Sequence, residues 1–113
     1  MPDTNGRAGR SRTEWVGLAG IGAMLATHLV WDTTLTLLGV AAFGIEEEGT
    51  AIVRELLWIH PVAWILAKVV VMTATTWVML RLDAHRSPAT AWVPWLLAVL
   101  GFVGPLGWFE LLL

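Results

Sequence analysis

The sequence predicts an all-α integral membrane protein, with three transmembrane helices and a short external amphipathic helix between the first two. Three apolar stretches are each long enough to cross a hydrocarbon core, which takes about 20 helical residues. The loops between them segregate charge by sign. Of 113 residues, 57% are hydrophobic and 14% charged, too little polar surface for a soluble domain of this size. One membrane domain accounts for residues 13–113. The polar segment 1–12, MPDTNGRAGRSR, reads as a disordered cytoplasmic tail.

The first span covers about 15–40. Ser11 followed by Glu14 forms a capping-box pattern at its start. A basic start before an apolar run also suits a signal peptide, but Ala23-Met-Leu-Ala26 is a poor small-x-small cleavage site. Next comes 47–59, where Ala51, Ile52, Leu56 and Ile59 recur at helical spacing with Arg54 and Glu55 between them. A short helix lying on the outer surface fits this pattern. Extension of the second span through the segment is the alternative. The second span covers about 61–82, with Pro61 in its first turn, where a missing N–H costs nothing. Ser87-Pro88 closes the link to a third span at about 91–112, in which Pro105 predicts a bend.

Charge sets the orientation. Arg7, Arg10 and Arg12 face a single Asp3 in the tail, and Arg81 and Arg86 mark the second link. The first link carries Glu46, Glu47, Glu48 and Glu55 against Arg54 alone. By the positive-inside rule the chain is a multi-pass protein of the cell membrane, N-terminus cytoplasmic and C-terminus external. Tryptophans fit the same frame: Trp15, Trp92 and Trp95 at the inner boundary, Trp58 and Trp108 at the outer one. Trp31 and Trp64 lie deeper, as packing residues.

Composition also excludes chemistry. Without cysteine there are no disulfides, thiolate metal sites or cysteine nucleophiles. Both serines, Ser11 and Ser87, lie outside the apolar stretches, against an intramembrane serine hydrolase. A formal charge of −2 gives no reason to expect a nucleic-acid partner.

The polar residues inside the spans are the informative ones, because charges at such depth are costly and need a partner or a wet cavity. His28, Asp32 and Thr36 follow at intervals of four and share a helix face, which Gly39 continues. His60, Trp64 and Lys68 recur in the same way on the second span, with Thr75 close to that stripe. At about 1.5 Å rise per residue, Asp32 lies roughly 10–12 Å and Lys68 roughly 10 Å below the outer ends of their helices. An ion pair between them is expected, holding the two spans in register, lining a proton or ion path, or recognising a polar headgroup. His28 lies roughly 18 Å deep and His60 at the surface, so no metal site is expected, and no cofactor. Glu46, Glu47 and Glu48 form an outer acidic rim, read as a solvated loop or as a lure for cations. Glu110 carries no assigned role.

Small residues mark expected helix contacts: Ala19, Gly22, Ala23 and Ala26 on the first span, Gly101, Gly104 and Gly107 on the third. Three short helices leave little private core, so the expected partners besides the lipid bilayer are a second copy or a larger membrane protein.

The run Asp32-Thr-Thr-Leu-Thr36, Gly39, Gly44, Glu47-Glu-Gly49 and Lys68 resembles an uncharacterised family of small multi-span membrane proteins from halophilic archaea and bacteria. Its pattern is an aspartate and threonine in the first span, a glycine, Glu-x-Asn-Pro, a short helix, and a lysine in the second span. Asp32, Thr36, Glu47 and Lys68 are the matching positions within about residues 28–75; Gly49-Thr50 stands where the family has Asn-Pro. The resemblance implies the same architecture and residue choice, and no activity. The expected function is a non-enzymatic subunit or helper. The alternative is a small oligomeric transporter or proton-linked carrier that uses Asp32 and Lys68.

Overall fold

The computed structural model describes residues 11–112. Residues 1–10 of the expected tail lie outside the described residues, while Ser11 and Arg12 belong to the first helix rather than to the tail. The Ser11 hydroxyl accepts from the Glu14 N–H at 3.2 Å, one half of the capping box. The Glu14 carboxylate turns instead toward Arg86, at 3.6 Å.

Every described element is helical. A first long helix runs Arg12–Phe43 and comprises α1 (Arg12–Ala26), a π-helical turn (Thr27–Trp31) and α2 (Asp32–Phe43). Gly44, at φ 100°, ends it in a conformation that glycine adopts without a Cβ clash. The 47–59 segment then divides. Ile45–Glu47 forms a 3₁₀ turn, and Thr50 leads into a separate helix, α3 (Ala51–Ile59). Extended backbone at His60 breaks α3 from the second long helix, α4 (Pro61–Arg81), so the two are not one continuous span. The His60 ring caps α4 by accepting from the Val62 N–H at 3.1 Å, with Pro61 in the first turn.

Asp83, in the left-handed region, turns the chain after α4, and Thr90 Oγ1 ties the linker by donating to Ala84 O at 2.6 Å. The third long helix is α5 (Val93–Val103), continued as 3₁₀ helix over Gly104–Leu112. Pro105 has no N–H to return to Gly101, and the glycines at 104 and 107 hold the helix weakly, so the tighter winding replaces the simple bend expected there. All three long helices have the length and apolarity to cross a membrane.

The core lies where α1, α4 and α5 converge, around Met24, Ile21, Met79 and Ala98, with Leu18, Met72 and Leu97 packed against them. α1 packs mainly along α5. Backbone proximity is set by Gly17, where a Cβ would meet the His85 backbone at 2.6 Å, and by Gly20, where it would meet the Trp95 indole at 2.7 Å. The expected close approaches hold at Gly39 and Gly101 and shift elsewhere. Gly22, Gly104 and Gly107 have open space around them, and the close approaches occur at Gly17, Gly20, Gly39 and Gly101.

On α3 the buried residue is Leu57, with Val53 and Leu56 half-buried. Ile52 and Ile59 of the expected stripe, and Trp58 beside them, face outward.

Candidate functional site

The first helix carries the polar side chains His28, Asp32 and Thr36 in and just after the π turn. Its i→i+5 bonding makes a wider turn than an α-helix, and His28 and Asp32, four apart, still border the same two cavities. His28 faces α5, and its Nε2 donates to Leu97 O at 2.7 Å. A carbonyl only accepts, so the ring hydrogen is on Nε2. Gly101 makes room for it, since a Cβ there would lie 2.7 Å from the imidazole. Asp32, one π turn later, faces α4.

There it meets Lys68. The Lys68 ammonium donates to Asp32 Oδ2, and Thr36 Oγ1 donates to Oδ1 at 3.3 Å. Nζ also lies 4.6 Å from the centroid of the buried Trp64 ring, a cation–π contact. The ammonium thus has a carboxylate on one side and an aromatic face on another. The pair is incompletely covered, with side-chain exposures of 12% for Lys68 and 25% for Asp32. Thr36 is buried. Thr75 does not join the cluster, because its hydroxyl donates back along its own helix to Val71 O at 2.7 Å. His60 is held at the α3–α4 break, away from the pair.

Indole N–H groups bind the rest of this region together. Trp31 donates to Phe102 O at 2.9 Å and stacks on the Phe102 ring at 5.0 Å. Trp95 donates in the opposite sense, from α5 to Val16 O at 2.8 Å. Trp108 crosses Gly39, where a Cβ would overlap its ring, and stacks on Phe43. Trp95 and Trp108 therefore also make inter-helix packing contacts, beside the boundary placement their positions suggest. Trp15, Trp58 and Trp92 are exposed.

Two cavities flank the pair. A polar one of about 200 Å³ is bordered by His28, Asp32, Thr36, Glu48, Trp64 and Trp108. An apolar groove of about 340 Å³ between α3 and α4 shares His28, Asp32 and Trp64 with it and has Lys68 at its edge. The three rim glutamates part company. Glu46 folds over Gly44, Glu48 borders the polar cavity, and Glu47 lines a third cavity of about 330 Å³ together with Glu48 and Glu110. Glu48 accepts from the Thr50 N–H at 3.2 Å, and Arg54 Nη1 donates to its backbone carbonyl at 2.9 Å. Among the described residues no group of three or more histidine and carboxylate side chains is arranged to hold a metal ion.

Sequence reasoning missed two residues. Glu110 joins the acidic rim from the other end of the chain, and only the fold brings it there. His85, in the α4–α5 linker, is 7% exposed against Gly17, and its Nδ1 has no hydrogen-bond partner. No pattern around either residue points to these positions.

Comparison with protein-family models, curated proteins and solved structures finds no match to this chain. The site is therefore read from its own residues.

Proposed function

We infer that the chain is a multi-pass protein of the cell membrane, with its N-terminus cytoplasmic and its C-terminus external. In this reading it serves as a non-enzymatic subunit or helper that packs on a second copy or on a larger membrane protein. The observation that carries the reading is the uncovered part of the Asp32–Lys68 pair. Charges far from either helix end belong against protein or water rather than lipid tails, and this chain's own helices leave the pair open to the α3–α4 groove. A neighbouring helix across the outer mouth of that groove would complete the cover and leave the groove itself open. The outward apolar side chains, among them Leu66, Val70, Leu96 and Leu100, are compatible with lipid and out of place in water. Kinship with the uncharacterised family of small multi-span proteins belongs to the same reading, on Asp32, Thr36, Glu47 and Lys68.

Gentle extraction from native membranes, followed by mass determination of the intact particle, tests it. A homo-oligomer or a stoichiometric complex is expected; a lone chain overturns it. A second reading, a small carrier, is favoured by the polar cavity beside the pair. It expects Asp32→Asn to abolish flux in reconstituted vesicles, and undiminished flux in that variant excludes it.

A further inference from the structure

Three cavities lie side by side near the Asp32–Lys68 pair, neighbours sharing lining residues, and their chemistry changes in sequence. Glu47, Glu48 and Glu110 line the first. Glu48, Thr50, Gly104 and Trp108 are shared between it and the polar cavity, which in turn shares Asp32 and Trp64 with the apolar groove. An acidic vestibule therefore adjoins a polar chamber, and the chamber a greasy slot.

Charge selects what fits. Across the three cavities four carboxylates, Asp32, Glu47, Glu48 and Glu110, face the single ammonium of Lys68. Arg54, on α3, donates to the backbone carbonyl of Glu48 and does not line these cavities. A cleft walled by one sign of charge in a low-dielectric surround concentrates the opposite sign. The absence of a metal-holding donor set among the described residues argues against a bare divalent ion. Trp64 and Trp108 border the chamber instead, and a cation already rests on the Trp64 face. Aromatic walls with a nearby carboxylate suit an alkylated ammonium, whose charge is diffuse and weakly hydrated. The adjoining groove, walled by Ile52, Leu56, Val71 and Met72, suits an alkyl tail.

The geometry points to a binding site for a single-chain amphiphile with an organic ammonium head, its head in the chamber beside Glu48 and its tail in the α3–α4 groove. This goes beyond the subunit reading, since binding is measured on whatever particle the chain forms and association is read from particle mass.

Calorimetry on the detergent-purified full chain tests it, with hexyltrimethylammonium, tetramethylammonium and hexanoate as probes. Saturable binding of hexyltrimethylammonium is expected, at least tenfold tighter than tetramethylammonium, with no saturable binding of hexanoate. Glu48→Gln should weaken both ammonium probes at least fivefold. Val71→Trp, which fills the groove, should erase the gain from the hexyl tail and leave tetramethylammonium unchanged. Absence of saturation by hexyltrimethylammonium, or equal binding of hexanoate, overturns the assignment, and this wild-type series decides the matter even where a variant does not fold. In folded variants, unchanged affinity in Glu48→Gln overturns the head placement, and an undiminished tail gain in Val71→Trp overturns the groove placement.

Discussion

Asp32→Asn leaves the Lys68 ammonium beside Trp64 without its carboxylate. Removing one member of a buried ion pair costs about 3–5 kcal/mol, and breaking an exposed pair about 0.2–1 kcal/mol. With 12% and 25% of the two side chains exposed, this pair lies nearer the buried limit. The Trp64 face continues to hold the cation, which offsets about 0.5–1 kcal/mol. The expected loss is about 2–3 kcal/mol. Lys68→Met strands Asp32 in turn, with only the Thr36 hydroxyl on it, and should cost about the same. The double variant removes both charges and should lie within about 1 kcal/mol of the original, since replacing a whole buried pair by apolar groups is often near neutral. The four proteins form a double-mutant cycle, followed by reversible unfolding in mixed micelles with far-UV circular dichroism. A coupling of about 3 kcal/mol or more is expected. Additive losses, with coupling below about 0.5 kcal/mol, would show that the two charges do not depend on each other.

Two further outcomes follow from the same packing. Gly20→Leu drives a side chain into Trp95 and Pro94 and should destabilise by about 1–3 kcal/mol, whereas Gly22→Leu enters open space and should stay within about 0.5 kcal/mol; equal effects in thermal unfolding would contradict the assigned α1–α5 face. His85→Leu replaces a buried imidazole whose Nδ1 has no partner, so stability should be unchanged or slightly raised. A loss above about 2 kcal/mol in the same assay would contradict that placement.

The Asp32–Lys68 contact was legible in the sequence because a charge inside an apolar run is conspicuous and helical rise places both residues at one level. His28 was legible as a buried polar residue, but its partner was not. The π turn that contains it has no glycine or proline to announce it, and His28 and Trp31 within that turn find their carbonyl partners only on α5. Helix faces failed for a related reason. On a cylinder apolar all round, spacing cannot tell the packed side from the outward one, so Gly22 was chosen where Gly17 and Gly20 make the contact. The same ambiguity hid the packing contacts of Trp95 and Trp108, whose indoles serve equally well at a boundary and across a glycine. Glu110 reaches the acidic vestibule through the tertiary fold, about 60 residues along the chain from Glu47 and Glu48, which no local pattern encodes.

The most direct test of the account is the side of the membrane on which each link lies. The chain has no cysteine, so single substitutions report cleanly: Gly49→Cys in the acidic link, with open space around it, and Ala89→Cys in the exposed α4–α5 linker. With a membrane-impermeant maleimide on intact cells, Gly49→Cys should label at once and Ala89→Cys only after permeabilisation. Labelling of both from one side, or of Ala89→Cys alone, would contradict the three-span arrangement with its acidic vestibule facing outward.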